Sequence, residues 1–294
     1  IHGNSRGLVI SCGIAPRYSD IDAGAMAAAA IDEAVRNAVC VGVNVNKIAG
    51  LDNFCWPDPI QSEKTPDGKF KLAQLVRANR ELERICRAYR LPCVSGKDSM
   101  KNDYGKGANK ISIPPTLLFS VFGDHPDVRN TATSDFKYAG DRIYLIGKSY
   151  NELGASEVSF MLKENAVCEG IGGAVPSLER PEELFKSYSA LSTAINSGLI
   201  KTAHDCSEGG LGVAIAEMCI GGRIGANIDL DGTGDESLWA RLWGESLGRI
   251  IIAVSPENEH KFLEIMSGNI TTYLGVVTES KLLSISDGYE EIIS

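Results

Sequence analysis

Apolar positions along the chain switch between a helical and a strand period. Residues 23–40 are Ala-rich, and Met26, Ala30, Ala34 and Ala38 recur every four positions. That spacing predicts a helix, with Asp20 or Asp22 placed to cap it. Lys47 to Leu51 predicts a short strand running into Asp52-Asn53-Phe54-Cys55-Trp56-Pro57, and 58–70 predicts a polar loop. From 71 to 89, Leu72, Leu75, Val76, Leu82, Ile85 and Tyr89 return to helical spacing. Pro92-Cys93-Val94 predicts a brief strand that Ser95-Gly96-Lys97-Asp98-Ser99 breaks. Residues 115–123 predict a third strand, apolar on both faces.

A polar link over 124–140 contains Pro126, Asp127, Asn130, Thr131 and Gly140. It predicts a domain boundary near 130, dividing the chain into 1–130 and 131–294. A second alternating pattern follows. Strands are expected at 142–147, 199–204 and 249–254, and helices at 183–197 (closed by Gly198), at 209–219 and from Pro256. The tail from 271 to 293 is strand-like. The expected class is α/β, or α+β, in two domains.

Length and composition narrow the function. The chain has 294 residues, enough for two domains with real cores. With 44% hydrophobic and 23% charged residues it is neither disordered, collagenous nor a coiled coil. No apolar run reaches the ~18 residues of a membrane span. The net charge of −9 builds no basic face for nucleic acid. The richest basic stretch, Arg77 to Arg90, is interrupted by Glu81 and Glu83 and reads as a solvated helix face. Eight scattered cysteines (Cys12, Cys40, Cys55, Cys86, Cys93, Cys168, Cys206, Cys219) contain no C-x-x-C pair. They argue against zinc and against a disulfide scaffold, and for a reducing, cytoplasmic compartment. The start has neither a signal-peptide layout nor an initiator Met, which predicts a processed chain or a fragment.

The sharpest chemical signal is His204-Asp205-Cys206-Ser207-Glu208-Gly209-Gly210-Leu211-Gly212. Adjacent glycines at a strand-to-helix turn let the backbone approach a phosphate at the helix N-terminus. Asp205 could hold Mg²⁺ there and Ser207 could donate to a phosphate oxygen. The alternative is a capping box. Glu33 and Asn37 lie four apart on one helix face. They are either hard oxygen ligands for Mg²⁺ or part of an exposed polar stripe. Asp52 and the Gly96-Lys97 pair sit where strands end, the usual place for ligands in α/β folds. Cys206 and the segment Trp239 to Trp243 read as packing groups.

Taken in order, Gly7-Leu8-Val9, Tyr18-Ser19-Asp20-Ile21-Asp22, Glu33-Ala34-Val35-Arg36-Asn37, Leu51-Asp52-Asn53-Phe54-Cys55-Trp56, Val94-Ser95-Gly96-Lys97-Asp98-Ser99-Met100, Ile113-Pro114-Pro115-Thr116-Leu117, His204 to Leu211 and Gly244-Glu245-Ser246-Leu247-Gly248-Arg249 resemble one family. The series is similar to the second half of the synthetase subunit of phosphoribosylformylglycinamidine synthases, within the aminoimidazole ribonucleotide synthetase-like superfamily. The resemblance covers essentially the whole chain. It implies an N-terminal domain whose sheet pairs with a sister domain into a barrel, followed by a C-terminal α/β domain. It implies a ligase that uses ATP to phosphorylate the amide oxygen of formylglycinamide ribonucleotide. Ammonia from a glutaminase subunit or domain then displaces the phosphate in purine biosynthesis. It implies bound ATP or ADP with Mg²⁺. Glu33, Asn37 and Asp205 resemble metal ligands, Asp52, Gly96, Lys97 and Ser207 nucleotide contacts that include residues facing the partner domain, and Ser99 a substrate contact. Some relatives carry a metal-binding Asn where this chain has Lys97. A protonated Lys cannot coordinate a cation, so pairing with phosphate is expected instead. The family's catalytic histidine lies in a first-half motif without a counterpart here. The resemblance therefore implies a missing N-terminal half, no activity of the chain alone, and a homodimer that imitates that half. It also leaves two other expectations, a nucleotide-binding scaffold without catalysis and a homodimeric sister enzyme.

Overall fold

The computed structural model describes residues 2–105, 109–164, 173–234 and 236–293; Cys168 lies outside them. The first part of the chain runs β1 (Gly7–Ile14), α1 (Ala23–Cys40), β2 (Ile48–Cys55), α2 (Gly68–Ala88), β3 (Cys93–Ser99), β4 (Asp103–Tyr104), β5 (Ile111–Ser112) and β6 (Thr116–His125). The second runs β7 (Arg142–Ile146), α3 (Glu157–Glu164), α4 (Pro181–Asn196), β8 (Ile200–Asp205), α5 (Gly210–Gly222), β9 (Gly225–Asp229), α6 (Leu238–Trp243), β10 (Ile250–Val254), α7 (Pro256–Ile265), β11 (Thr271–Thr278), β12 (Leu283–Asp287) and β13 (Glu290–Ile293). The fold is a mixed α/β arrangement. Among the described residues, no helix is long and apolar enough to cross a membrane.

A four-stranded sheet has the order β1-β6-β2-β3, antiparallel except for the parallel β2–β3 pair. Helix α1 begins under the cap of Asp22, whose carboxylate accepts from the amides of Gly24 and Ala25. It packs against β1, β6, α2, α4 and β8, so it is buried on nearly every side. That is why it is built from alanine: small side chains let neighbours approach its axis closely. A Cβ on Gly13 of β1 would fall 2.2 Å from the Ala30 carbonyl oxygen. The sheet's other face is open. Leu8, Ile10 and Ile14 alternate outward along β1, at 66%, 73% and 42% exposure.

The seven-stranded sheet has the order β13-β12-β9-β11-β7-β10-β8. Both faces of its centre are covered. Tyr144, Ile146, Ile250, Ile252 and Val254 enter the core shared with α1 and α4, whereas Ile143, Leu145, Ile251 and Ala253 enter a second core with α5. A strand buried on both faces reads as a continuous apolar run, which accounts for the sequence of β10.

Three expectations are corrected. Strand β3 continues through Ser95 to Ser99 instead of breaking there, because parallel pairing with β2 over Leu51 to Cys55 outweighs weak local strand propensity. The first strand is missed as an element, because its alternation of exposed apolar with small residues resembles no half-buried strand. The Trp239 to Trp243 segment is only partly core. Trp239 is 42% exposed, while Trp243 packs over Gly212.

Candidate nucleotide site

Strand β8 ends at Asp205, and 206–209 turn into α5. Gly209 (φ 76°) and Gly210 (φ 67°) are both left-handed, and a Cβ on Gly210 would lie 2.3 Å from the Gly244 carbonyl oxygen. Only glycine fits that turn. The capping-box alternative does not hold. The N-cap is Gly209, without a side-chain cap, and Ser207 Oγ donates instead to Glu33 Oε1 at 2.9 Å. The Gly209 amide donates to Glu245 Oε1 at 3.0 Å. Glu245 also accepts from Tyr18 Oη at 2.7 Å and from the Glu157 amide at 2.9 Å.

Glu33 is brought to the turn by α1, and its Oε2 accepts from the Ile14 amide at 2.8 Å. Burial is the largest influence on its carboxyl and pushes it above the ordinary range, against the pull of Ile14, Arg36 and Ser207. Asp205 is buried, 3.8 Å from Arg36 Nη2 and 3.5 Å from His204 Nδ1. Burial acts to raise its pKa most strongly. The His204 contact and the Arg36 charge together outweigh burial and hold it below the usual range. Asp205 Oδ2 is fully covered and accepts no hydrogen bond.

Arg36 is itself fully buried. Its Nη1 donates to the Cys206 carbonyl at 3.1 Å, and its Nε lies 3.2 Å from Asp32 Oδ2. Burial works against its charge, but Asp32 and Asp205 outweigh it and raise the pKa. Asp32 accepts from Tyr89 and Tyr188 hydroxyls, both at 2.6 Å, and from the Gly248 amide at 3.0 Å. Asp32, Arg36, Tyr18 and Glu245 were not identified as site residues from sequence. The i, i+4 spacing of Asp32 and Arg36 was a readable signal; the partners that make them important come from distant elements. Cys206 is a buried packing thiol, pushed up to about 11 by burial.

Of these groups, Tyr18, Glu33, Arg36, Ser207 and Glu245 line a cleft of about 150 Å³ between β1, α1 and the turn, together with Arg17 and Glu208; its lining does not include Asp205 or Asn37. That volume is below the ~300 Å³ at the lower end of ligand pockets, room for a phosphate group but not a nucleoside. A larger cleft of about 650 Å³, between the end of β7 and α4, contains none of the candidate metal, nucleotide or substrate residues named from sequence.

The remaining residues lie elsewhere. In the β2–β3 register Asp52 pairs with Gly96, Asn53 with Lys97 and Cys55 with Ser99. Asp52 shares the helix-covered face with Gly50 and Phe54, and a Cβ on Gly96 would meet its carboxylate at 2.8 Å. Lys97 and Ser99 register with the opposite, open face. The four residues thus divide between the two faces at the sheet edge opposite β1. Asn37 turns its amide nitrogen to the Cys12 carbonyl at 3.4 Å, leaving its oxygen as an acceptor.

The donor chemistry fits a hard divalent cation. Glu33 and Asp205 supply carboxylates and Asn37 an amide oxygen, and Asp205 Oδ2, though 3.8 Å from Arg36 Nη2, accepts no hydrogen bond. Among the described residues, no group of three or more His, Cys, Asp or Glu side chains is placed to hold a metal. Any ion here would draw its other ligands from phosphate and water.

Fold and turn together define a class, and comparison with known proteins gives it a name. Residues 1–123 match the AIR synthase related protein N-terminal domain and residues 138–288 the AIR synthase related protein C-terminal domain. The chain belongs to this family. Over 256 residues it is 34% identical to the phosphoribosylformylglycinamidine synthase subunit PurL of Deinococcus radiodurans, covering 86% of this chain and 33% of that protein. It therefore spans about a third of that relative's length. Among solved structures, T. maritima PurL complexed with FGAR has a TM-score of 0.77 at 17% identity, over 98% of this chain and 44% of that one. A HypE–HypF complex gives 0.71 at 15% identity, over 100% of this chain and 91% of that one. At such identities the likeness is one of fold.

Proposed function

We propose that this chain is the second half of an ATP-dependent carbon–nitrogen ligase of the phosphoribosylformylglycinamidine synthase type, holding ATP or ADP with Mg²⁺ at the turn after β8. The observation that carries the reading is Asp205: a buried carboxylate with one oxygen lacking a donor, beside the Glu33–Ser207 bond and a glycine turn. Structures of T. maritima PurL complexed with ADP and with ATP, which share this fold, support the nucleotide. The complex with FGAR supports formylglycinamide ribonucleotide as substrate. Ammonia would come from a glutaminase partner, and the missing half would supply the catalytic histidine.

The chain's own residues have limited roles in this reaction. Ser207, whose hydroxyl donates to Glu33 in this structure, would turn to a phosphate oxygen when nucleotide binds, and the dipole of α5 favours negative charge there. Arg36 is already balanced by Asp32 and Asp205, so it fixes Asp205 and leaves ligand charge to others. Lys97 and Ser99 stand on the open face, where a partner domain would close over them. Bound Mg²⁺ would neutralise charge spread over the phosphate oxygens. We assign the domain division near 130, barrel pairing through the open face, and a reducing cytoplasmic setting to the same reading.

A second reading is a sister ATP-using enzyme acting as a homodimer; the likeness of fold to HypE in complex with ATP (TM-score 0.69 at 13% identity) supports it.

Thermal unfolding with and without Mg·ADP or Mg·ATP, beside Asp205→Asn, tests the site. A ligand at 100 times its Kd adds about 2.7 kcal/mol. The parent should therefore melt several degrees higher with nucleotide and the variant should not. Equal shifts in both would place the nucleotide elsewhere.

A further inference from the structure

We propose that Cys86 and Cys93 form a reversible dithiol–disulfide site where helix α2 meets edge strand β3. Their sulfurs lie 3.7 Å apart in a thiol–thiol contact. Cys86 is buried in the last turn of α2, and Cys93 is the exposed first residue of β3. The chain between them is pinned. The Leu91 amide donates to the Cys86 carbonyl at 2.8 Å, and Arg90 reverses direction at φ 50°. Among the described residues β3 is the edge strand of its sheet, paired on one side only, with β2.

The two thiols are unlike in the way exchange requires. The thiol–thiol contact, in which either sulfur can donate, holds Cys93 below the ordinary thiol range, and the same contact together with burial holds Cys86 above it. Cys93 is thus the accessible attacking thiolate and Cys86 the sheltered resolving thiol. The buried Cys40, Cys206 and Cys219 lack that access, and Cys12 lies on β1 at the opposite edge. The Cys93 thiol points to the α2 side of the sheet, away from the open face, so pairing through that face does not cover it.

The oxidant is a low-molecular-weight disulfide, RSSR. The Cys93 thiolate attacks one of its sulfurs, the S–S bond breaks, and RS⁻ leaves to take up a proton. Cys86 loses its proton and attacks the Cys93 sulfur of the mixed disulfide, releasing a second RSH. Two protein thiols are oxidised, one RSSR is reduced to two RSH, and excess thiol reverses both steps. The bond ties α2 to the strand that carries Gly96, Lys97 and Ser99. This proposal is independent of the nucleotide reading.

Arg84, Arg87, Arg90 and Lys97 make the test direct, because trypsin separates residues 85–87 from 91–97. The full chain is reduced, desalted, treated with oxidised glutathione, alkylated in denaturant and digested without reductant. Mass spectrometry of the parent should find 85–87 joined to 91–97, two hydrogens lighter than the separate peptides. Cys86→Ser, or Cys86→Ala if the serine variant folds poorly, should retain glutathione on 91–97. Cys93→Ser should yield 85–87 alkylated. Glutathione retained on Cys93 of the parent, with Cys86 alkylated, would overturn the proposal. So would a parent in which Cys93 is unmodified.

Discussion

Buried carboxylates at the junction of the two sheets make opposite demands on pH. Asp205 is held below its ordinary value, so its contribution to stability is present above the unfolded pKa and is lost as pH falls through the folded one. Glu245 is the reverse. Burial is its largest influence and raises it, although the Glu157 and Gly209 amides and Tyr18 pull the other way. A raised carboxylate binds more protons folded than unfolded, so its contribution falls as pH rises above the unfolded value of about 4.3 and through the folded pKa. Glu245→Gln should lack that slope. In urea unfolding across about pH 4–7, the variant should gain stability relative to the parent as pH rises. Parallel profiles would mean that burial of Glu245 carries no net cost.

At the scale of elements, the turn into α5 depends on its glycines for two separable reasons. Gly210 is left-handed and also has no room for a Cβ, whereas Gly140 (φ 91°) is left-handed with no atom within 4 Å of a Cβ. Gly140→Ala should cost about 1–2 kcal/mol from backbone strain alone. Gly210→Ala should cost a further 1–3 kcal/mol or so, because the Gly244 and Leu242 carbonyls must move. Chemical denaturation of the two variants checks the difference, and equal losses would show that the close approach relaxes freely. The same turn explains why Ser207 does not cap its helix: Gly209 starts the helix, and Glu33 of α1 takes the hydroxyl.

For the whole molecule, the open face of the four-stranded sheet leaves a group of apolar side chains in solvent. Leu8, Ile10, Ile14 and Phe122 are exposed there, and apolar surface grouped in this way favours association. Barrel pairing through this face should make the isolated chain a dimer by light scattering. Ile10→Asp, at the centre of β1, should shift it to monomer with little change in the monomer's fold. A monomeric parent would sink the pairing.

Local pattern was enough for much of this molecule. The periods of 23–40, 71–89 and 249–254 marked α1, α2 and β10, because α1 and β10 are almost wholly buried and α2 buries one face through Ala78, Ile85 and Cys86 while Leu72 and Val76 stay exposed. The turn at 205–210 was legible because its glycines have a backbone reason to be there. Tertiary structure alone decided the rest. Strand β3 exists because β2 pairs with it, and Asp52 and Lys97 face opposite ways because register, not spacing along the chain, sets the faces. Asp32 and Arg36 looked like an ordinary helical ion pair. They became the buried link between the sheets only when Tyr89, Tyr188, Gly248 and Asp205 arrived from elements far away in sequence. Periodicity reports which face of an element is apolar, whereas a polar network depends on what that face meets.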